Sequence, residues 1–382
     1  MRENFGFEIE LFIRDRKNGF LFLGVTLFLI GLLFYIPYQQ VNDIHDKTQK
    51  ELHTVRNTIS SFPVHIVEED PERYPVYQDV LKESQLIGSQ EVALTFYNDL
   101  KEYTSIGLEL AQSRLQAHEK GYESFNQNFF VPLEQSLRES VYYEALEDQN
   151  QLIERDAQSS STYLVLAISA FSSVFFVFLL LLTSDILTKD DAHSTVIQAY
   201  PINESQRLFG KLMIYVTATI LTIVGLFAAG YVLSLIPFDA GTMDYPRVIY
   251  TASGYEAVST SQFILRTLLI AVFFTIHTTL LAAVLNTLLK NRYLTLFLGS
   301  SLLLCSFLFS RIWAFLAYTP IDYLNPIGVL DGATSERFGQ SEIDYSRALL
   351  IYGGWSLVYL LVLSISFSKK HRSSRMRKEG GQ

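Results

Sequence analysis

Long apolar stretches are distributed unevenly along this chain. One lies near the N-terminus, five are crowded between Tyr163 and Phe367, and a long polar stretch separates the first from the second. Because an α-helix needs roughly 20 apolar residues to cross a hydrocarbon core of about 30 Å, each stretch predicts one membrane-spanning helix. The six predicted spans cover residues 19–38, 163–183, 212–236, 263–289, 294–316 and 348–367.

The polar stretch after the first span has a helical pattern of its own. Residues spaced three and four apart are predicted to share one face of a helix that continues out of the membrane. They are Val41, Ile44, Thr48, Leu52, Val55 and Ile59. Further helices are predicted over residues 76–87, 90–121 and 133–156, the last running towards span two. No alternating pattern is long enough to predict a sheet, so the predicted fold class is an all-α membrane protein.

Charge placement gives the six spans an orientation. Of the 382 residues 49% are hydrophobic and 18% are charged, and the basic residues of the short loops gather on one side, which is normally cytoplasmic. They are Arg14, Arg16, Lys17, Lys189, Arg207, Lys211, Lys290, Arg292, Lys369, Lys370, Arg372, Arg375, Arg377 and Lys378. The loops on the other side carry mainly acid. Both termini are therefore predicted to be cytoplasmic, and the polar stretch to be an extracellular helical domain.

These predictions divide the chain into consecutive parts. Residues 1–17 form a cytoplasmic amphipathic helix, 18–38 the first transmembrane helix, and 39–161 the extracellular helical domain. Residues 162–367 form a five-helix transmembrane bundle with a cytoplasmic segment at 184–211, and 368–382 form a basic cytoplasmic tail. The first span follows a basic region, as a cleaved signal does, but it is longer than a usual signal core and no small-x-small site precedes Gln39. It is predicted to be a retained anchor.

The acidity of the predicted extracellular domain leaves two interpretations open. Between Tyr38 and Gln158 there are 22 acidic and 10 basic residues. Such a surface either attracts a cationic peptide or a metal ion or keeps a helical domain soluble. The densest cluster, at residues 68–72, lacks the glycine and alternating ligands of a calcium loop, so no metal site is predicted. The one cysteine, Cys305, lies in span five, so the domain has no disulfide, which fits a bacterial surface.

Motifs that carry chemistry are absent from the sequence. There is no G-x-x-x-x-G-K-[ST] loop for a nucleotide phosphate, and no H-E-x-x-H, C-x-x-C or G-x-S-x-G motif. The chain is therefore predicted not to be an enzyme and to need no cofactor of its own.

Two polar residues lie within span four. His277 stands near its middle, where an ionisable side chain is by default a functional candidate. It is flanked by threonines and alternatively forms a hydrogen bond to a neighbouring helix. Asn286 lies nearer the end of the span, where anchoring at the interface also explains it. The two residues together form a candidate intramembrane polar site.

The segment between spans two and three carries the most specific pattern. In order it has two aspartates, a Ser-Thr pair, a proline, an arginine and a Gly-Lys pair: Asp190, Asp191, Ser194, Thr195, Pro201, Arg207, Gly210 and Lys211. In this order, and in the layout of its spans, the chain resembles the permease subunits of ABC-2 type ABC exporters. That family more often has Glu at the aspartates and Gly-Thr at the Ser-Thr pair.

The resemblance assigns this segment to coupling with an ATPase. Acidic residues favour the N-terminal end of a helix and a proline ends one, so a short helix is predicted over residues 190–200. The family also has an interfacial helix before span one. Residues 4–16 are amphipathic and too short to span, and the candidate residues there are Glu8, Phe12 and Arg14. A Pro-broken run at 317–328 resembles the family's short outer helices.

The resemblance also implies partners and a mechanism. Two permeases, identical or different, would work with two ABC ATPase subunits that bind ATP and Mg in a bacterial cell membrane. A peptide, an antimicrobial or a lipid would cross between the permeases, with spans two and five as walls. Membrane lipid is the remaining partner, and no nucleic acid is expected. Two other classes stay open: a membrane sensor or assembly protein with an extracellular ligand-binding domain, and a stand-alone channel or ion-coupled carrier with His277 as a proton site.

Overall fold

The computed structural model describes residues 2–62, 73–121, 130–188, 204–309 and 318–379. Within them, six helices are long and apolar enough to cross a membrane: Arg16–Gln39, Ser160–Thr183, Gln206–Ser234, Thr260–Leu289, Arg292–Phe309 and Tyr345–Ser366. The number and order of the predicted spans are therefore confirmed, and their ends shift by a few residues. The last part of predicted span five, after Phe309, lies outside the described residues.

The helices and strands of the described residues follow in chain order. They are α1 (Arg2–Arg14), α2 (Arg16–Gln39), α3 (Ile44–Ser61), α4 (Arg73–Val92), a π-helical turn (Ala93–Tyr97), α5 (Leu100–Glu119), α6 (Leu133–Asp148), α7 (Ser160–Thr183), α8 (Glu204–Ser234), β1 (Pro246–Thr251), β2 (Gly254–Ser259), α9 (Thr260–Leu289), α10 (Arg292–Phe309), a 3₁₀ helix (Pro320–Tyr323), α11 (Pro326–Leu330), α12 (Ala333–Phe338) and α13 (Tyr345–Glu379).

The second span, α7, is the central helix of the membrane bundle. It packs against α2, α8, α9 and α10, and its buried side chains include Phe171, Phe176, Leu179 and Leu180. Small residues and buried hydrogen bonds fix these contacts, as they do in other membrane bundles. A side chain at Gly299 of α10 would begin 2.8 Å from Leu180, and the Tyr163 hydroxyl donates to the carbonyl of Leu29 over 3.0 Å.

Helices α3 to α6 form an antiparallel four-helix domain between spans one and two. α3 packs on α4, α4 on α5, and α5 on α6, with Leu52, Val55, Val80 and Leu110 in one of its apolar cores. The chain leaves and re-enters the membrane at one place. There the amide of Ile44 donates to the carbonyl of Arg155 over 2.9 Å, and that of Ala157 to the carbonyl of Val41 over 3.0 Å.

The predicted helices of this domain are present with different ends. The predicted buried face of α3 is confirmed, but α3 begins at Ile44 after a turn with left-handed residues at Gln40 and Asn42. The prediction of one helix over 90–121 is wrong, because the π-helical turn ends at Asn98 with φ 54° and Asp99 caps a new helix. The helix predicted over 133–156 ends at Asp148.

A buried arginine joins all four helices of the domain. The Arg114 guanidinium on α5 donates to carboxylates of Glu83 on α4, Glu139 on α6 and Glu51 on α3, over 2.7, 2.9 and 3.3 Å. Buried charges need such partners, because an unpaired charge in a protein interior is strongly destabilising.

A β-hairpin between spans three and four makes the all-α prediction incomplete. β1 and β2 pair antiparallel, with Ile249 opposite Glu256, and Gly254 at φ 107° begins the second strand. The hairpin packs against α6, and the Tyr142 hydroxyl lies 2.5 Å from that of Tyr245. Burial raises the pKa of both phenols, so this hydrogen bond joins two neutral hydroxyls.

The segment between spans five and six lies on the same side as the hairpin and the helical domain. Arg138 of α6 donates to the carbonyl of Asp331 over 2.9 Å. The 3₁₀ helix and α11 are the short helices that the 317–328 run predicted, and all residues of α11 are buried. We call this side of the bundle the domain side. The helix α1 contacts the opposite end of α8.

Candidate functional site

The N-terminal helix packs across the start of span three. Phe12 of α1 is buried, and its ring lies edge-on to Tyr215 of α8 with centroids 5.1 Å apart. The side-chain amide of Asn18 donates to the carbonyl of Phe12 over 3.0 Å, which fixes the end of α1 against α2. The helix is therefore held by protein contacts as well as by its amphipathic composition.

An ion pair connects the same region to the end of span two. The Lys17 ammonium donates to Asp185 Oδ1 over 2.5 Å and to the carbonyl of Leu182 over 2.9 Å. The Asp185 side chain is 4% exposed. The ammonium thus satisfies a free carbonyl at the C-terminal end of α7, where a cation is also favourable. We call Phe12, Lys17, Asp185 and Tyr215 the N-terminal junction.

The predicted interfacial residues occupy different environments. Glu8 and Phe12 are buried, whereas Arg14 is exposed and pairs with Glu10 over 2.7 Å. Ile9 and Ile13, one turn apart, are exposed on α1. This segment is thus an amphipathic helix, as predicted. Its buried side also carries a carboxylate, that of Glu8.

The predicted coupling residues are described only in part. Gly210 and Lys211 are buried and Arg207 is half-buried, all on the first turns of α8. Asp190, Asp191, Ser194, Thr195 and Pro201, together with the helix predicted over 190–200, lie outside the described residues. The structure nevertheless places the start of this segment, at Asp185, beside Lys17 of α2, and its end, near Tyr215, beside Phe12 of α1.

His277 is fully buried between spans four and six. Its ring lies 5.6 Å from that of Tyr352 and 5.3 Å from that of Tyr359, between centroids. Neither ring nitrogen has a hydrogen-bond partner among the described residues. The predicted hydrogen bond from His277 to a neighbouring helix is therefore not seen among the described residues. The imidazole instead packs as an aromatic ring.

Asn286 does not join His277 in one site. Its side-chain amide donates to the carbonyl of Ala282 over 2.8 Å within the same helix. Nine residues along an α-helix correspond to about 13 Å and to opposite faces. The candidate intramembrane polar site is thus two separate positions on α9.

A cavity of about 240 Å³ opens between spans two, three and four, on the domain side. Nearly all of its lining is apolar: Leu164, Ile168, Phe171, Ser172, Phe175, Ile223, Val224, Phe227, Ala228, Ile264, Thr267, Leu268, Ala271, Pro326 and Ile327. Val224 and Leu268 are partly exposed, so the cavity opens sideways on the outer surface of the bundle. We call it the lateral groove.

Of the two hydroxyl side chains that line the lateral groove, Ser172 is hydrogen-bonded and Thr267 is not. The Ser172 hydroxyl donates to Asn325 Oδ1 over 2.7 Å and accepts from the amide of Ile327 over 3.0 Å, which fixes α11 against span two. The Thr267 hydroxyl is buried without a hydrogen-bond partner among the described residues. The groove suits an apolar group such as a hydrocarbon chain.

The sequence indicated the N-terminal junction only incompletely. Lys17 counted towards orientation and Asp185 lay at the start of the coupling segment, but nothing in their pattern paired them. A useful signal was available. Both lie at span ends that the predicted topology puts on the same side, and a lone acid at the end of an apolar span requires a nearby cation.

Comparisons with family models, with curated proteins and with solved structures find no match for this chain. The functional interpretation therefore depends on the residues and the geometry described above.

Proposed function

We propose that this chain is the membrane-spanning subunit of an ABC-2 type exporter, which moves a substrate across a bacterial cell membrane with ATP hydrolysed by a separate ATPase subunit. The N-terminal junction is the observation that carries the proposal. Phe12 joins α1 to span three, and Lys17 joins span one to the end of span two. An interfacial helix and the ends of two consecutive spans thus form one packed unit.

Such a unit suits the transmission of movement from a soluble partner. An ATPase bound to residues 189–203 would act on the ends of spans two and three simultaneously, and α1 would move with them. Because span two is also the central helix of the bundle, its displacement would reach most of the other spans. ATP and Mg would bind on the ATPase, and this chain would supply only the coupling surface.

The same proposal places both termini in the cytoplasm and the helical domain outside. A second permease, identical or different, would complete the pathway. The lateral groove supports a substrate with an apolar part, a property shared by lipids and by many antimicrobials and peptides.

One observation favours a second candidate, an ion-coupled carrier. His277 has two buried ring nitrogens without partners among the described residues, and a protonatable group in a membrane bundle is a usual element of such carriers. The surrounding tyrosine rings and the lack of a nearby carboxylate in the described part of α9 and α13 favour the exporter.

The test is coexpression with candidate P-loop ATPase subunits from the same genome, followed by copurification and measurement of ATP hydrolysis. Asp191→Ala combined with Arg207→Ala is expected to reduce both. Lys17→Met is expected to leave some binding but to reduce stimulated hydrolysis. Lys50→Ala, which breaks an exposed ion pair of the helical domain, serves as the matched control. Unchanged binding and hydrolysis in the double variant would overturn the coupling assignment.

A further inference from the structure

We propose that the turn between α4 and α5 anchors the helical domain to the lipid surface. Its partner is the interfacial region of the phospholipid leaflet on the domain side. We call residues 92–99 the aromatic turn. This role is independent of the proposed export function and of which side of the membrane the domain occupies.

The aromatic turn exposes large apolar side chains. Phe96 is 78% exposed and Tyr97 71%, and Leu152, in the segment after α6, is 57% exposed. Among the described residues of 39–161, these three are the large hydrophobic side chains that are more than half exposed. Exposed apolar side chains that cluster in this way mark contacts with a membrane or a protein.

Side-chain contacts place the turn at the membrane end of the domain. Arg155, five residues before α7 begins, donates to the side-chain oxygen of Asn98. Lys101 donates to Asn150 over 3.2 Å in the same connecting segment. Glu91 lies 3.6 Å from His45 at the start of α3, where the chain has just left span one.

The described residues at the other end of the domain have no comparable relation to the membrane. Helices α3, α4 and α5 have 18 to 20 residues, which corresponds to about 27–30 Å at 1.5 Å per residue. The far ends of these helices are therefore well removed from the bilayer. All three strongly exposed apolar residues lie at the end that faces it.

The local backbone holds the two rings outward. The π-helical turn Ala93–Tyr97 ends at Asn98 in the left-handed conformation, and Asp99 accepts from the amides of Lys101 and Glu102, each over 3.0 Å. Turns of this kind in α-helices often mark functional sites. The backbone is thus fixed by hydrogen bonds although the rings do not belong to the core.

Lipid is the partner that this position and chemistry fit. Tyrosine and other aromatic side chains are enriched where a membrane protein meets the headgroups, and Tyr38, at the end of span one, is itself highly exposed. Lys101 and Arg155 are exposed beside the turn. Long basic side chains can keep their charge at the phosphates while their stems lie along apolar groups.

The test uses the full-length chain in phosphatidylethanolamine–phosphatidylglycerol vesicles. A nitroxide is attached at Phe96→Cys in a Cys305→Ser background, and its collisions with oxygen and with a water-soluble nickel chelate are compared. Ser60→Cys, exposed near the far end of α3, is the matched control. We expect more oxygen collisions and fewer nickel collisions at position 96 than at position 60, and a shift of the same sign for Leu152→Cys.

Two results would overturn the anchor. Nickel collisions as frequent at position 96 as at position 60 would place the turn in water. Protection from both reagents would show that a protein partner or a second copy covers it. If Phe96→Cys does not fold, as judged by size-exclusion chromatography and circular dichroism, Tyr97→Cys and Leu152→Cys decide the question in the same way.

Discussion

The guanidinium of Arg114 and the carboxylate of Glu83 form a buried, charge-assisted pair in which Nε donates to Oε1 over 2.7 Å. Their side chains are 1% and 5% exposed. Burial alone would lower the pKa of Arg114, but the surrounding carboxylates outweigh it and raise the pKa, so the arginine stays charged. The stability of the helical domain thus depends on one cation that no solvent screens.

Replacing Arg114 is expected to destabilise the helical domain severely. Arg114→Met retains much of the volume but leaves Glu83, Glu139 and Glu51 without their shared cation, which typically costs about 3–5 kcal/mol. The urea midpoint of the full-length chain in detergent, followed by circular dichroism, measures the loss. Lys50→Ala is the control, because the exposed pair with Asp46 contributes at most about 1 kcal/mol. Similar effects of the two substitutions would contradict the role of the buried cluster.

Acid is expected to destabilise the same domain. Burial alone would raise the pKa of Glu139, but Lys47 and Arg114 outweigh it and hold the pKa below its usual value. A lowered folded pKa gives stability that is present above the unfolded value, about 4.3, and is lost as the pH falls through the folded value. The urea midpoint should therefore decrease between about pH 5 and pH 3. The urea midpoint of Arg114→Met should decrease less over the same pH range. A decrease as large as in the native chain would exclude Arg114 as the cause of the pH dependence.

Truncating Phe12 is expected to release the N-terminal helix. Phe12→Ala removes the edge-on contact with Tyr215, and buried Phe→Ala changes typically cost about 3–5 kcal/mol. Amide hydrogen exchange in α1 should become faster, whereas exchange in α5 should not change. Ile13→Ala, next along the same helix but 71% exposed, is the matched control. Equal acceleration in both variants would show that α1 is held by lipid rather than by span three.

Removing the Tyr245 hydroxyl is expected to loosen the helical domain from the hairpin. That hydroxyl accepts from the amide of Glu154 over 3.0 Å and pairs with Tyr142. Tyr245→Phe leaves the Glu154 amide and the Tyr142 hydroxyl without this partner, which should lower the free energy of unfolding by about 1–3 kcal/mol. Tyr250→Phe removes a more exposed hydroxyl of the same hairpin and should have a smaller effect. The thermal midpoint of Tyr245→Phe should therefore lie below that of Tyr250→Phe, and the opposite order would contradict the prediction.

Replacing His277 separates the two candidate functions. Both ring nitrogens are buried without partners among the described residues, so His277→Leu removes unsatisfied polar atoms and should raise stability, by about 1–3 kcal/mol. If the chain is an exporter subunit, ATP-dependent transport in vesicles should persist. Tyr352→Phe, which removes a buried bond to the carbonyl of Tyr323, is the destabilising control. Loss of transport in a folded His277→Leu protein would favour the carrier instead.

The spans were predictable because hydrophobicity over about 20 residues decides them locally. The hairpin was not, since its strands have six residues each, show no alternating burial and pack against α6, a partner some 100 residues away in the chain. Gly254 and the run Val248-Ile249-Tyr250 were the available signals. The break after Asn98 was marked by Asp99, a preferred N-cap residue, within a stretch that otherwise reads as helix.

Contacts between distant parts of the chain, in the N-terminal junction and in the helical domain, could not be predicted from the sequence. Lys17 and Asp185 are 168 positions apart, and Arg114 reaches carboxylates 25, 31 and 63 positions away. Pairing of this kind depends on which helices are neighbours in space, and periodicity along one helix contains no such information. Phe12 was found because amphipathicity within α1 is a local property.

The adjacent ends of the helical domain have a consequence for how this chain can be modified. Because Val41 and Ile44 pair with Ala157 and Arg155 through backbone hydrogen bonds, the whole of α3 to α6 is inserted through a narrow neck. A short linker between Val41 and Ala157 can therefore replace the domain with spans one and two still meeting as they do now, and the cost of the exchange is the loss of the contacts of α6 with the hairpin and with Asp331.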